Sequence, residues 1–171
     1  MKAVDESNLP QVKMMIGVLL RFWQVGLIEF DTVSKLSKLR IYIKSISDAE
    51  FAELKQMIVS HLGAHKRLTA SKHDLSAQIA LVKKGELHQI VIEREVNSLF
   101  RKEITIIVEL ITNYLTPERI FSDEFALIDD LISCEELDDL IIDALNDNTK
   151  LKLIGVRSDG RLAVYPAMDA D

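Results

Sequence analysis

Carboxylates crowd the segment SCEELDDLIIDALND at residues 133–147. Carboxylate oxygens bind hard metal cations, and paired carboxylates serve as general acids and bases. In a helix, Glu135, Asp139, Asp143 and Asp147 fall four residues apart and form one edge. Such a row does not converge on one point, as the ligands of a metal ion must. We therefore rank a solvated helix face first, a docking face for a basic surface second, and a metal site last.

Three histidines occur within thirteen residues, in HLGAHKRLTASKH. His61 and His65 are spaced for one helix face and could share a transition metal with His73 or Asp74. No glutamate stands between them as in the H-E-x-x-H pattern, and Gly63 suggests that the helix ends there. We therefore expect surface or helix-terminal histidines and no metal ligands.

Enzyme signatures are absent from the sequence. It contains no glycine-rich phosphate loop and no G-x-S-x-G motif. Cys134 follows a predicted helix cap, but the neighbouring Glu135 and Glu136 disfavour a thiolate there. The sequence therefore predicts no catalytic residue and no cofactor.

Charge is distributed unevenly along the 171 residues, although the net charge is only −6. Residues 32–84 carry ten Lys or Arg against four acids, and residues 118–147 carry eleven acids against Arg119 alone. The first region is a possible contact for nucleic acid or an acidic partner, with Tyr42 as its one candidate stacking aromatic. The residues assigned to that contact are Lys35, Lys38, Arg40, Lys44, Lys66, Arg67, Lys72, Lys83 and Lys84. A solvated basic face remains the favoured interpretation.

The compartment is suggested by composition. A single cysteine, Cys134, excludes an intramolecular disulfide. The most apolar run, at 14–20, is far shorter than the roughly 20 residues that span a bilayer. Asp5 and Glu6 stand where a signal peptide would be basic. We expect a soluble, cytoplasmic protein with no membrane contact.

Helical spacing dominates our interpretation of the first half. One helix is predicted from Asn8 or Leu9 to about Gly26, with Pro10 in its first turn. A second is predicted from Asp31 as N-cap, and a third begins at the Ser47–Glu50 capping box. The apolar stripe of the second helix comprises Leu36, Leu39, Ile43 and Ile46.

The helical interpretation continues through the middle of the chain. A fourth helix starts at Ser71 or Asp74 and meets Gly85. Residues 86–115 then form one long helix or two helices that meet near Arg101, and the β-branched run ITIIVELI at 104–111 belongs to this helix.

The last third has clear signals. Ser122 caps a helix at 123–132, and the Ser133–Glu136 capping box opens a helix that ends near Asn148. A hairpin follows, in which the Asp159–Gly160 turn pairs Ser158 with Arg161 and Val156 with Ala163.

This element order resembles a winged-helix module. In that architecture the second helix of the helix-turn-helix enters the DNA major groove. Here that helix carries acids and no base, so it would repel phosphates, and protein contact is the better interpretation.

These patterns predict a mainly α protein. Residues 1–100 form a helical region packed on the rest as one compact unit, and residues 101–171 form a winged-helix-like module of three helices and a short antiparallel β-hairpin. The function predicted first is that of a small non-enzymatic adaptor or regulatory subunit with an acidic docking helix. Its partner is a protein with a basic surface, or the chain associates with itself through its basic and acidic regions. A nucleic-acid-associated regulator using residues 32–84 comes second, and a metal-dependent enzyme last.

Overall fold

The computed structural model describes residues 6–69, 77–96, 101–121 and 132–168. These residues form an α/β fold. Its helices are α1 (Pro10–Arg21), α2 (Asp48–Thr69), α3 (Arg101–Leu115) and α4 (Cys134–Asn146). Its strands are β1 (Leu27–Asp31), β2 (Leu36–Lys44), β3 (Gln78–Lys84), β4 (Leu87–Glu95), β5 (Lys152–Ser158) and β6 (Arg161–Pro166). None of the helices in these ranges is both long and apolar enough to cross a membrane.

All six strands join one antiparallel sheet in the order β3-β4-β2-β1-β5-β6. The pairing of β1 with β5 sets Ile28 beside Gly155 and so joins strands from the first and last parts of the chain. The predictions of a mainly α fold, a helical N-terminal region and a winged-helix-like module are therefore wrong. The C-terminal hairpin exists, but it extends a large sheet instead of forming a wing.

The second predicted helix is strand β2. The side chains of LSKLRIYIK alternate between half-buried and buried up to an exposed final lysine, with Leu39, Ile41 and Ile43 inward. A helical stripe also fits some of these apolar positions, but it would leave Ile41 among the lysines. The period of two, with its β-branched residues, is the stronger pattern because it buries every isoleucine of the strand.

In the helices predicted from Ser71 or Asp74 onward, the described residues 78–95 are in fact the β3–β4 hairpin. Its turn is Gly85–Glu86, since Lys84 pairs with Leu87. Gly85 has φ +60°, which glycine adopts at no steric cost and which the first position of a type II′ turn requires. Gly85 therefore reverses the chain, and α3 begins only at Arg101.

Asp31 caps a turn and not a helix. Its Oδ1 accepts the backbone N–H groups of Val33 at 2.8 Å and Ser34 at 3.0 Å, within the loop that joins β1 to β2. Burial alone would raise the pKa of Asp31, but these hydrogen bonds outweigh it and hold the pKa below its usual range. The same acceptor chemistry caps turns and helices, so the residue type alone does not distinguish the two.

Several local predictions are confirmed. Helix α1 has Pro10 at its start, and ITIIVELI lies within α3. Both capping boxes form, Ser47 with Glu50 and Ser133 with Glu136. The hairpin turn has positive φ at Asp159 and Gly160, and the strand register is the predicted one. The helix predicted at 123–132 lies outside the described residues except for Ile132.

The helices cover one face of the sheet. Buried residues of the four helices and of strands β1 to β5 form one apolar core on this side, which includes Phe30, Ile41 and Ile90. Helix α1 lies between the sheet and α4. A Cβ on Gly155 of β5 would meet Met15 at 3.3 Å, and one on Gly17 would meet Leu137 at 3.1 Å. Helix α4 therefore forms an outer layer that packs mainly on α1.

A buried ion pair joins β4 to the first turn of α3. The Nη1 atom of Arg94 lies 2.5 Å from Oε2 of Glu103, and the two side chains are 3% and 4% exposed. Burial lowers the pKa of the Arg94 guanidinium, and the charge of Glu103 opposes that shift. The hydrogen bond to Glu103 opposes the same shift, so the pair places two opposite charges in direct contact within the core.

Candidate functional site

Helix α4 carries the acidic residues that the sequence singles out. Its capping box supplies two hydrogen bonds, from the Glu136 N–H to Ser133 Oγ at 3.1 Å and from the Ser133 N–H to Glu136 Oε2 at 2.8 Å. One carboxylate of the acidic segment is thus used to start the helix. The inner arc, with Leu137, Ile141 and Ala144, is buried against the rest of the fold.

Two further carboxylates fix the orientation of α4. Both oxygens of Asp138 accept hydrogen bonds from the guanidinium of Arg101 on α3, at 2.9 and 3.1 Å. At the other end, Asp147 Oδ1 accepts Gln11 Nε2 of α1 at 3.0 Å. Hydrogen bonds from Thr149 and then from Gln11 hold the pKa of Asp147 below its usual range. Asp147, predicted as a docking residue, is thus hydrogen-bonded within the chain.

Glu135, Asp139 and Asp143 remain on the outward edge of α4, and all three are exposed. None of them forms an ion pair with a residue in the described ranges, whereas Asp138 on the same helix does. Like charges four residues apart cost about 0.2–0.5 kcal/mol per pair in an isolated helix. A basic partner would relieve this repulsion, so the three residues form a row of negative charges that can attract a positively charged surface. We call this row the acidic edge.

The predicted basic positions do not form one surface. Lys38 pairs with Glu93 at 3.1 Å, and Arg40 Nη2 pairs with Glu29 at 3.2 Å while its Nη1 donates to Gln89. These two bases are therefore already paired within the chain. Both lie on the side of the sheet opposite the helices, as their half-buried positions in β2 indicate.

The other predicted bases lie in several places. Lys83 pairs with Asp48 at the start of α2, at 2.6 Å. Lys66 and Arg67 lie in the last turn of α2, Lys35 lies in the loop before β2 with φ +58°, and Lys72 lies outside the described residues.

Lys44 and Lys84 are two exposed bases on neighbouring parts of the sheet. Both pair in register with Leu87 of β4, Lys44 from β2 and Lys84 from β3. This arrangement is local and lies at one end of the sheet.

Sequence reasoning missed the open face of the sheet. That face carries Tyr42, whose ring packs so closely on Gly26 that a Cβ there would approach within 2.5 Å. Burial raises the pKa of Tyr42, and its surroundings include Arg40, Glu29 and Tyr165. The strict alternation of LSKLRIYIK was the signal for this face, because a strand presents Lys38, Arg40 and Tyr42 together.

The described residues considered for metal or thiol chemistry are His61, His65 and Cys134. Nδ1 of His61 lies 2.8 Å from the carbonyl oxygen of Met57, while His73 lies outside the described residues. In the described ranges, no group of three or more His, Cys, Asp or Glu side chains is placed to hold a metal ion. Cys134 Sγ accepts a hydrogen bond from Arg21 Nη2 at 3.1 Å, a contact that ties α1 to the start of α4.

One open groove lies near the start of α1. It measures about 560 Å³, and its lining includes Leu9, Leu151, Pro166, Asp31 and Lys152. Oδ1 of Asp31 already accepts two hydrogen bonds from its own loop, so it is not available to bind a ligand in the groove.

Comparison of the chain with protein-family models, with curated proteins and with solved structures found no match.

Proposed function

We propose that this protein is a non-enzymatic adaptor or regulatory subunit that acts through protein–protein contacts. The acidic edge of α4, formed by Glu135, Asp139 and Asp143, is its docking face for a basic surface on the partner. A cytoplasmic setting belongs to the same proposal.

The observation that carries the proposal is the contrast within α4. Asp138 and Asp147 hold the helix against α3 and α1, while the three carboxylates of the acidic edge are exposed and have no ion pair with a described residue. A helix fixed on its inner side presents its outer charges at constant spacing. Binding then costs less side-chain and backbone ordering than docking to a mobile segment would.

Electrostatics define what the partner must offer. Exposed ion pairs contribute only about 0–1 kcal/mol each, so the acidic edge steers and orients a partner more than it adds raw affinity. Its partner should present Lys or Arg at matching intervals. The contact should weaken as the Debye length falls from about 10 Å at 0.1 M salt to about 3 Å at 1 M.

The test is affinity capture of partners by the full chain from its native source, after nuclease treatment. D139K/D143K should lose the captured protein, because two attractive charges become repulsive. E86K/E109K is the matched control, since it changes net charge equally at exposed positions on the β3–β4 turn and α3. Equal capture by both variants and the wild type would contradict the proposal.

A second candidate is a nucleic-acid-associated regulator, and the exposed Lys44 and Lys84 beside Tyr42 favour it. Loss of every captured partner after nuclease treatment would support it over the adaptor. In that case K44E/K84E should weaken binding to single-stranded RNA in fluorescence anisotropy. K55E/K102E is the matched control, since it changes the net charge equally at exposed positions on α2 and α3.

A further inference from the structure

The two edges of the sheet differ in their capacity to bind another strand. β3 forms one edge with the sequence QIALVKK, and β6 forms the other with RLAVYP. Exposed edge strands carry unpaired backbone N–H and C=O groups that can pair with another chain, and proline is one of the residues that blocks this. β6 contains Pro166, whereas β3 contains neither proline nor glycine.

The hydrogen-bond pattern shows which backbone groups point outward from β3. Val96 N–H donates to Lys35 C=O at 2.9 Å, so even-numbered residues of β4 bond to β2 and odd-numbered ones bond to β3. The β3 residues opposite those odd positions are even-numbered. The N–H and C=O groups of Ile79, Leu81 and Lys83 therefore point away from the sheet.

Strand β6, at the other edge of the sheet, directs the backbone groups of its even-numbered residues outward. Ala167 N–H donates to Lys152 C=O at 2.9 Å, so the odd-numbered residues of β6 bond to β5. The outward positions are Leu162, Val164 and Pro166. Pro166 has no N–H to offer, and thus this edge is interrupted where β3 is continuous.

We propose that β3 pairs antiparallel with β3 of a second copy of this chain, which joins the two sheets into one. The dyad passes through Leu81, so Leu81 lies opposite Leu81 and Ile79 opposite Lys83. Each facing pair of outward residues exchanges two backbone hydrogen bonds, on the order of six in total. A closed two-fold contact uses the same strand on both copies and leaves no further β3 edge to extend.

Charge and packing favour this occupant. In the antiparallel register, Lys83 and Lys84 lie opposite Ile79 and Gln78, so no lysine faces another; a parallel register would align all of them. The apolar centre of the strand meets itself, and the half-buried Leu81 gains an apolar neighbour. α4 packs on α1, which contacts β5 and β6, so the dimer leaves the acidic edge free.

The first test is the mass of the full chain in solution, by light scattering after size exclusion over a range of concentrations. The wild type should show about twice the 19.4 kDa chain mass. L81P should be monomeric, because it removes an outward N–H but none of the bonds to β4. L162P makes the same change at the β6 edge and should remain dimeric. Circular dichroism and urea midpoints establish that both variants are folded.

A second test does not depend on a proline variant. In a C134S background, L81C should form an intermolecular disulfide under mild oxidation, because hydrogen-bonded antiparallel pairs set Cα atoms about 5.5 Å apart, within disulfide range. L162C is the matched control and should crosslink more slowly. A wild type that is monomeric in solution overturns the proposal. This holds even if its β3 edge pairs with a strand of another protein. The proposal is also overturned by a dimer that L81P leaves intact, or by equal crosslinking of L81C and L162C.

Discussion

The buried Arg94–Glu103 pair provides the sharpest prediction about stability. Both side chains are almost fully removed from water, so deleting Glu103 leaves the charge of Arg94 in the core without this partner. Breaking such a pair costs about 3–5 kcal/mol. E103L should be the more damaging single change, because the guanidinium that remains cannot give up its proton at ordinary pH. R94M leaves Glu103 in the first turn of α3, where the helix dipole returns about 0.3–1 kcal/mol.

The double variant R94M/E103L should lie close to the wild type. Replacing a buried ion pair by apolar side chains of similar volume is often neutral or stabilising, because neither charge then has to be removed from water. The double-mutant cycle should therefore give a coupling energy of at least about 3 kcal/mol. K38M, which breaks the more exposed pair with Glu93, is the control and should cost no more than about 1 kcal/mol.

Urea unfolding followed by circular dichroism measures these differences. With a slope of about 2 kcal/mol/M, E103L should lower the midpoint by roughly 1.5–2.5 M. In thermal unfolding the same loss corresponds to roughly 6–20 °C, at about 2–4 °C per kcal/mol for a chain of this size. If E103L cost no more than K38M, or if the double variant were as unstable as the sum of the single ones, the reasoning would be refuted.

Two further predictions concern the placement and charge of α4. G17L should lower the free energy of unfolding in urea by about 1–3 kcal/mol, because its side chain would enter the α1–α4 contact. G17A is the control and should change it by no more than about 1 kcal/mol, because only flexible δ-methyl groups lie 3.1 Å from a Cβ at this position. The folded pKa values of Asp147 and Asp48 are depressed, by hydrogen bonds from Thr149 and Gln11 and by Lys83 respectively. They therefore add stability that is complete above the unfolded pKa of about 3.9 and is lost as pH falls through the lower folded values. The urea midpoint should fall as pH drops from about 5 towards 2, and D147N should reduce that dependence; an unchanged pH profile in D147N would contradict this assignment.

Local chemistry was predictable from the sequence because it depends on neighbours in the chain. Ser47 and Ser133 each have a glutamate three residues later, and both capping boxes form. Asp159–Gly160 meets the positive φ that a two-residue hairpin turn needs, and this fixes the register of β5 and β6. These signals involve few residues, and no distant contact competes with them.

The sheet was not predictable in the same way because its pairings are long-range. β1 pairs with β5, which lies more than a hundred residues later in the chain, and neither sequence contains a signal that predicts this pairing. The apolar positions of β2 fit both a helical stripe and an alternating strand, and its pairing with β1 and β4 selects the strand. The resemblance to a winged helix arose from true local elements, α3, α4 and the hairpin, assembled in the wrong tertiary context.

The six-stranded sheet gives the acidic edge of α4 a different setting from that of a winged helix. In a winged helix this segment would be a recognition helix, and its carboxylates would count only against DNA binding. In the observed fold, α4 is an outer helix whose inner arc is occupied by α1, so its charges face outward for a positive structural reason. Arg101 and Gln11 hold it at opposite ends. Asp139 and Asp143 therefore lie on a helix that is held in place at both ends. The docking proposal depends on this fixed position, and not on the unsuitability of α4 for binding DNA.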